Sequence, residues 1–190
     1  MSMFGSSTGG GYRFGEVVSA LQKTIRVGDV RQAAYWAVEL ESCGGPARKY
    51  LWNRLKVILS EDIGPTSEGN ALVPVLETLA NNYHDAWQRG NDSYRLSLMH
   101  AIIAMCRAAK TRICDDLAIA VYQSTDRYEI PDNALDKHTQ RGRSLGRGLH
   151  HWLTEGIAVE PVSDELEPLA TALREEAQAY LYEGLSLIHI

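Results

Sequence analysis

Apolar residues recur at spacings of three and four along most of this chain, and no segment alternates convincingly with a period of two. Glycine and proline interrupt the pattern, as at Cys43-Gly-Gly-Pro46 and Ile63-Gly-Pro65, and cut it into stretches of ordinary helical length. The sequence therefore predicts an all-α fold, an orthogonal or antiparallel bundle of about six helices with short connections. The six apolar stripes are Val17, Leu21 and Ile25; Val30, Ala33, Ala34, Ala37 and Leu40; Leu51, Leu55 and Ile58; Val75, Leu79, Tyr83 and Trp87; Leu98, Ile102 and Met105; and Ile113, Leu117, Ala120 and Val121.

The chain divides into four predicted parts. Residues 1–15 are rich in glycine and serine and form a predicted flexible leader. Residues 16–128 form the helical domain, in which Pro74 is expected either in the first turn of a helix over residues 70–90 or at the start of that helix. Residues 129–183 carry an irregular basic segment and a last helix that ends near Tyr182. Residues 184–190 are expected to be either a non-native tail, translated from vector sequence, or a genuine apolar end.

The composition excludes several classes of protein. A net charge of −5 at pH 7 and a hydrophobic fraction of 45% fit neither a disordered acidic tail nor a histone-like polycation. The three cysteines, Cys43, Cys106 and Cys114, offer no disulfide framework and no paired zinc spacing, which favours a reduced, cytoplasmic setting. No stretch of the sequence is apolar for long enough to span a bilayer, so a membrane is not an expected partner.

The most informative local signal is a tight corner between the first two predicted helices, in Leu21-Gln-Lys-Thr-Ile-Arg-Val-Gly-Asp-Val-Arg-Gln-Ala-Ala-Tyr-Trp36. Gly28 is expected in the left-handed conformation that closes a helix. Asp29 is expected to cap the next helix, with Gln32 three residues later at capping-box spacing. Two further strings follow in order, Leu51-Trp-Asn-Arg-Leu-Lys-Val-Ile-Leu-Ser-Glu-Asp-Ile-Gly64 and Leu98-Met-His-Ala-Ile-Ile-Ala-Met-Cys-Arg-Ala-Ala-Lys-Thr111.

These three strings, in this order, resemble the C-terminal helical domain of the replication-associated recombination protein A and Werner-helicase-interacting protein family, which are clamp-loader-type AAA+ ATPases. The resemblance covers about a hundred residues and implies a collar-like domain that holds subunits together, typically as a tetramer. It also implies work at stalled replication forks and single-strand gaps. The partners implied are further copies of the chain, an AAA+ ATPase encoded elsewhere or another replisome protein, and DNA.

The sequence departs from that family in one respect. It contains no Gly-x-x-x-x-Gly-Lys-Ser/Thr loop, the backbone cradle and lysine that hold the phosphates of ATP. We therefore expect no ATP hydrolysis, no cofactor and no catalytic residue in this chain. Metal and nucleophile arrangements fail on spacing as well, because Cys106 and Cys114 fall on separate predicted helices and the adjacent His150 and His151 form a poor chelate.

One segment of an otherwise acidic chain is strongly basic. It runs from residue 137 to residue 152, and we call it the basic segment. Its arginines match phosphate geometry, and its tryptophan is suited to stacking on a base. The alternative interpretation pairs these cations with acids such as Asp132, Asp136 or Glu155. The candidate nucleic-acid or phosphate contacts are Lys137, Arg141, Arg143, Arg147 and Trp152.

Two tryptophans in the best-matching strings, Trp36 and Trp52, are candidates for a packed seam or an oligomer contact, since large aromatic rings are enriched in both. A second basic group, Arg48, Lys49, Arg54 and Lys56, is interpreted as a solvated face with short-range ion pairs.

The function predicted from the sequence is a non-enzymatic oligomerisation and DNA-maintenance module of a clamp-loader-like AAA+ system in replication, recombination or repair. The alternatives are a purely structural helical scaffold, or a fragment of a longer AAA+ ATPase without independent activity. An enzyme with an unrecognised site is the least favoured hypothesis.

Overall fold

The structure, a computed structural model, describes residues 7–160, 165 and 167–182 of the 190-residue chain. Across these residues the regular structure is helical, apart from an isolated bridge between Ser7 and Arg13, and the predicted all-α class is confirmed. The predicted tail, residues 184–190, lies outside the described residues. The α-helices are α1 Phe14–Arg26, α2 Val30–Ser42, α3 Gly45–Ile58, α4 Ser67–Gln88, α5 Tyr94–Arg107, α6 Ile113–Gln123, α7 Gln140–Ser144, α8 Leu149–His151 and α9 Glu167–Tyr182.

Two compact units make up the chain, Met1–Ser124 and Thr125–Ile190. In the first unit α4 packs along α5, α1 along α2, and α2 contacts both α3 and α5. The core between these helices is apolar and fully buried, and its largest side chains include Trp52, Tyr83 and Phe14. Five predicted stripes pack into this hydrophobic core, except for Trp87 of the fourth stripe, which is 38% exposed.

The corner between α1 and α2 has the geometry that the sequence predicts. Gly28 has a φ of 76°, a left-handed conformation that favours glycine. The Asp29 N–H returns to the Thr24 carbonyl at 2.9 Å and closes α1. The Asp29 carboxylate accepts from the Gln32 N–H at 3.0 Å and from its side-chain amide at 2.9 Å, which caps α2.

The helix α4 begins earlier than the sequence predicts. Thr66 caps it, because its hydroxyl oxygen accepts from the Gly69 N–H at 2.9 Å, and Pro74 lies inside the helix rather than in its first turn. The expectation was wrong because the cap at Thr66 sets the start of the helix, so that Pro74 falls in its interior, where a proline removes one backbone hydrogen bond. Before α4, a π-helical turn, Leu59–Ile63, ends α3.

Two stretches expected to lack regular structure contain turns. Residues 7–13 of the leader form a tight turn, in which the Thr8 N–H donates to the Tyr12 carbonyl at 2.8 Å. In the second unit a 3-10 turn, Asp132–Ala134, and α7 fall in the stretch expected to be irregular. The Thr139 hydroxyl caps α7 through the Gly142 N–H at 2.9 Å, and this local capping signal went unrecognised in the sequence. The last helix, α9, is described as far as Tyr182, and the predicted end near this residue meets the limit of the described residues.

Candidate functional site

Arg147 connects the basic segment to the residues that precede it. Its guanidinium donates to the Leu135 carbonyl at 3.1 Å and to both the carboxylate and the carbonyl of Asp132. This guanidinium lowers the pKa of Asp132 below its ordinary value, chiefly through the hydrogen bond. For Arg147, the structure thus favours the alternative in which a cation of the segment pairs with a nearby acid.

The remaining cations of the basic segment have lighter internal contacts. The Lys137 ammonium lies 4.2 Å from the centre of the Trp152 ring, a cation–π geometry that leaves the charge intact. Arg143 donates to the carbonyls of Lys137 and His138, each at 3.2 Å. Arg141 and Arg143 are both exposed on α7. The segment therefore presents two solvent-facing arginines beside a lysine that is stacked on an aromatic ring.

A glycine permits this arrangement. A Cβ atom at Gly142 would lie 1.9 Å from the backbone oxygen of Asp136, so any side chain there would push α7 away from the preceding loop. The glycine lets the helix pack directly on the chain that carries Asp132 and Asp136.

Within the described residues, one group has the ligand types and spacing to hold a metal ion. Asp132, His151 and Glu155 each place a ligand atom within 4.8 Å of the others. His151 Nε2 lies 3.5 Å from the Glu155 carboxylate. However, the Asp132 carboxylate already binds the Arg147 guanidinium, whose positive charge opposes a second cation at the same oxygens. The sequence analysis rejected the adjacent histidines as a chelate and did not foresee that His151 lies near two acids from other turns.

The two candidate tryptophans of the first unit lie in different surroundings. Trp52 is only 2% exposed and packs against Tyr83 with ring centres 5.3 Å apart. It is a core side chain, so of the two roles predicted for it, packed seam or oligomer contact, its burial favours the packed seam. Trp36 is half-buried beneath Tyr12 and Tyr35, at 5.3 Å and 4.8 Å between ring centres. A hydrogen bond to Tyr12 raises the pKa of Tyr35 to about 12.

A buried polar network joins α1, α3 and the π-helical turn. The Asp62 carboxylate is fully buried and accepts from the Gln22 amide at 2.9 Å and from Arg26 Nε at 2.6 Å. Its backbone carbonyl accepts from the Thr111 N–H at 3.0 Å. Asp62 therefore fixes the start of the connection to α6, a long-range role that spacing along the sequence does not reveal.

The second basic group behaves as predicted for ion-paired surface residues. Lys56 binds Glu77 at 2.6 Å, and Arg54 lies 3.7 Å from Glu61. Arg48 stacks over the Trp87 ring at 3.5 Å. These contacts occupy three of the four cations, so the group offers little free positive charge to a ligand.

The helix α6 differs from every other helix of the first unit. It has eleven residues, most of them apolar, and none is buried. Leu117, Val121 and Tyr122 are 61%, 63% and 88% exposed. The sequence grouped Ile113, Leu117, Ala120 and Val121 as one more packing stripe, but within its own unit the stripe has no cover. A continuous apolar face of this kind is typical of a surface that another molecule covers.

None of the helices in the described part of the chain combines the length and the apolar character that crossing a bilayer requires. Over the residues that the structure describes, the fold is all-helical, with a well-packed core in the first unit, the uncovered apolar helix α6 and a small basic segment. No family model matches the chain. It is nevertheless 26% identical to replication-associated recombination protein A of Bacillus subtilis (strain 168), over 90% of the chain. It is 28% identical to ATPase WRNIP1 of Dictyostelium discoideum, over 64% of the chain.

The chain is thus similar to members of the replication-associated recombination protein A and WRNIP1 family, and the resemblance predicted from the three strings is confirmed. It spans 42% of the length of the Bacillus relative and 13% of the length of the Dictyostelium relative. The relation to a replication and recombination AAA+ family follows from these matches.

Proposed function

We propose that this chain is a non-enzymatic oligomerisation module of a clamp-loader-like AAA+ system that acts in DNA replication, recombination or repair. The observation that carries the proposal is the uncovered apolar face of α6. Further copies of the chain cover this face, and an ATPase supplied by the same or another polypeptide provides the nucleotide chemistry.

The physical argument starts from the free energy of hydration. Each apolar side chain left in water forgoes about 25 cal/mol for every Å² that burial would remove. Ile113, Leu117 and Val121 are spaced four residues apart and are each more than half exposed. Residues at this spacing form one stripe on a helix, which a single partner surface can cover. Interfaces between obligate subunits resemble a protein core cut in two, and α6 has that composition.

The names of the relatives support the replication and recombination setting of the proposal. One relative is named for replication-associated recombination and the other is named an ATPase. The present sequence has no phosphate-binding loop of the Walker type. A part of such a protein without that loop contributes assembly or positioning rather than hydrolysis, and a self-complementary helical surface serves assembly.

Light scattering of the purified chain tests the proposal. We expect a mass that is a multiple of the protomer for the intact chain and a monomer for Leu117→Glu/Val121→Glu, with unchanged far-ultraviolet circular dichroism. The matched control is Val27→Glu/Val73→Glu, which adds the same charge at two exposed valines outside α6 and should leave the mass unchanged. A monomeric intact chain at all concentrations, or a robust ATPase rate, would overturn the proposal.

A second candidate function, contact with nucleic acid through the basic segment, is supported by the exposed Arg141 and Arg143 and by the Lys137 charge over Trp152. Each DNA phosphate that a protein cation neutralises releases counterions, so the affinity for DNA falls as the salt concentration rises. We expect fluorescence anisotropy with labelled single-stranded and duplex DNA to show weaker binding for Arg141→Ala/Arg143→Ala and a shallower salt dependence.

The choice of residues matters in this experiment. Arg147 binds Asp132 within the loop, so replacing it would perturb the fold of the segment as well as its charge. Lys49→Ala/Arg89→Ala, which removes two charges from the first unit, is the matched control. Equal affinities for the intact chain and both variants would rule out the basic segment as a contact.

A further inference from the structure

A cleft runs between α4 and α5 on the surface of the first unit. Two cavities of about 350 Å³ and 280 Å³ lie along it, and both are lined by Val75. Its floor is apolar, with Leu72 and Leu79 from α4 and Ala104 from α5. The two helices run antiparallel here, because Glu68 accepts from the Ala109 N–H at 3.3 Å while Leu79 faces His100.

The cleft continues onto exposed apolar side chains of α5. Ile103 lies next to the cleft residue Ala104 and is 42% exposed, and Leu96, one turn before His100, is 72% exposed. These side chains extend the apolar floor onto the open surface. The first unit therefore carries two uncovered apolar features, a cleft and a helix.

The helix fits the cleft in length. The eleven residues of α6 extend over roughly 16 Å at 1.5 Å per residue. The cleft, from Glu68 to Thr78 along α4, is roughly 15 Å long by the same rise. Laying the apolar face of a short helix into an apolar groove is a recurrent recognition mode in which residues i, i+4 and i+8 are the anchors. Ile113, Leu117 and Val121 have that spacing.

We propose that α6 of one copy lies in the α4–α5 cleft of a second copy, and that the second copy's α6 occupies the first copy's cleft. This proposal rests on the proposed function and names the surface through which the copies join.

Charge sets the direction of the docked helix. At one end of the cleft the exposed cation Arg107 lies near Glu68, whose carboxylate accepts from the Ala109 N–H, and His100 and Thr78 lie at the other end. In the first turn of α6, Asp115 already pairs with Arg112, which leaves the charge of Asp116 for Arg107, and the last turn carries no charge. The first turn therefore meets Arg107, where opposite charges attract, and the neutral last turn meets His100.

Symmetry makes this direction self-consistent. In its own copy α6 starts directly after residues that contact Glu68, at the same end of the cleft. A two-fold axis close to this corner relates the start of each α6 to the Glu68 end of the other copy's cleft. One isologous contact then covers both helices and both clefts, which is the commonest closed arrangement of subunits.

Disulfide trapping tests this contact directly. The charge match brings Ala120 level with Val75 of the other copy, so Val75→Cys/Ala120→Cys should form a covalent dimer on mild oxidation, seen on non-reducing gels. Cys43→Ser/Cys114→Ser serves as the background for every variant, while the buried Cys106 is retained. The matched control is Asn81→Cys/Ala120→Cys, since Asn81 is exposed on α4 away from the cleft.

Light scattering of the same proteins separates the two proposals. A multimer that forms the Val75–Ala120 crosslink but not the Asn81–Ala120 crosslink supports the cleft. A multimer that forms neither crosslink, or both equally, overturns the cleft while the oligomerisation proposal stands. A monomer overturns both.

A charge exchange tests the direction. We expect Arg107→Glu to weaken association about tenfold, and Arg107→Glu/Asp116→Arg to recover most of that loss. A double variant that associates no better than Arg107→Glu overturns the proposed direction of α6 in the cleft.

Discussion

The helices α5 and α6 follow one another in the chain, and both are largely apolar, yet only α5 is part of the core. Leu98, Ala101, Ile102 and Met105 of α5 are at most 1% exposed, whereas α6 has no buried residue. Both sequences have helical periodicity, so periodicity alone predicts a helix and its apolar face but not the molecule that covers that face. The difference between the two helices indicates that the apolar face of α5 stabilises the fold of one copy, whereas the apolar face of α6 is left for association.

Thiol reactivity should show the largest contrast, because each helix carries one cysteine. Cys106 of α5 is buried and burial raises its pKa to about 11, whereas Cys114 of α6 is exposed. We expect an alkylating reagent at pH 8 and low protein concentration to modify Cys114 at least about a thousand times faster, since Cys106 reacts only after the core opens. Mass spectrometry of timed samples measures both rates, and equal rates would show that α5 is not part of a stable core.

The same thiol gives a dependence of stability on pH. The pKa of Cys106 in the folded protein is higher than the ordinary value of 9.0, so the folded state retains this proton more tightly. Its contribution to the free energy of unfolding is therefore complete below pH 9.0 and is lost as the pH rises towards about 11. Urea titrations of the intact chain and of Cys106→Ala at several pH values check the sign, because the variant should lose less stability over this range.

Truncating one large side chain in α5 and one in α6 should reduce the free energy of unfolding by amounts that differ by about 3 kcal/mol. Ile102→Ala leaves a cavity in a closed core and should cost about 3 kcal/mol, within the usual range for such changes. Leu117→Ala removes atoms that are already in water and should cost less than about 0.5 kcal/mol at concentrations where the chain is monomeric. Urea denaturation measures both, and similar losses would mean that α6 is packed within one copy.

Removal of the buried Asp62 carboxylate should have an intermediate effect on the free energy of unfolding. Asp62→Ala leaves the Gln22 amide without its acceptor, while Arg26, partly exposed, can turn to solvent. We expect a loss of about 2 kcal/mol, which is typical for an unsatisfied buried polar group. The position of α6 should loosen as well, so hydrogen exchange near Thr111 should accelerate. Unchanged stability and exchange would contradict the anchoring role of Asp62.

A smaller effect than that of Asp62→Ala is expected at the cap that Lys110 forms at the end of α5. The Lys110 ammonium donates to the carbonyls of Met105 and Cys106, at 2.9 and 3.1 Å, and also to that of Ala108, although burial lowers the pKa of this lysine. We expect Lys110→Met to cost about 1 kcal/mol, because it removes bonds to the carbonyls at the end of α5. Thermal unfolding beside the exposed control Lys49→Met measures the difference, and equal melting temperatures would show that the cap is dispensable.

The sequence predicted the features of the fold that depend on neighbouring residues. The corner at Gly28 and Asp29 was predictable because a left-handed glycine and a capping carboxylate act within one turn. The start of α4 was not, because Pro74 alone suggested a first turn while the cap at Thr66 was overlooked. The class of fold followed from periodicity, which most helices obey.

Features that depend on residues distant in sequence could not be predicted. The contact of Asp62 with Gln22 joins elements that only the folded chain brings together. The sequence offered Asp132 as one possible partner for the basic segment, but not that Arg147 is the cation that binds it. The candidate phosphate contacts remain a prediction, and which cations of the basic segment are available to a ligand depends on such pairings. The ring of a tryptophan suits both a protein core and a subunit interface, so the sequence left both roles open for Trp52. Only its burial in the structure distinguishes the two.

The most direct test of the account is hydrogen exchange of α6 at increasing protein concentration, measured by mass spectrometry. In a single copy of the chain, α6 buries no side chain, so its amide hydrogens should exchange quickly. We therefore predict that peptides covering residues 117–123 gain protection as the protein concentration rises, while the exchange of peptides from α5 does not change. Exchange of α6 that is equally fast at every concentration would contradict the claim that a second copy covers its apolar face.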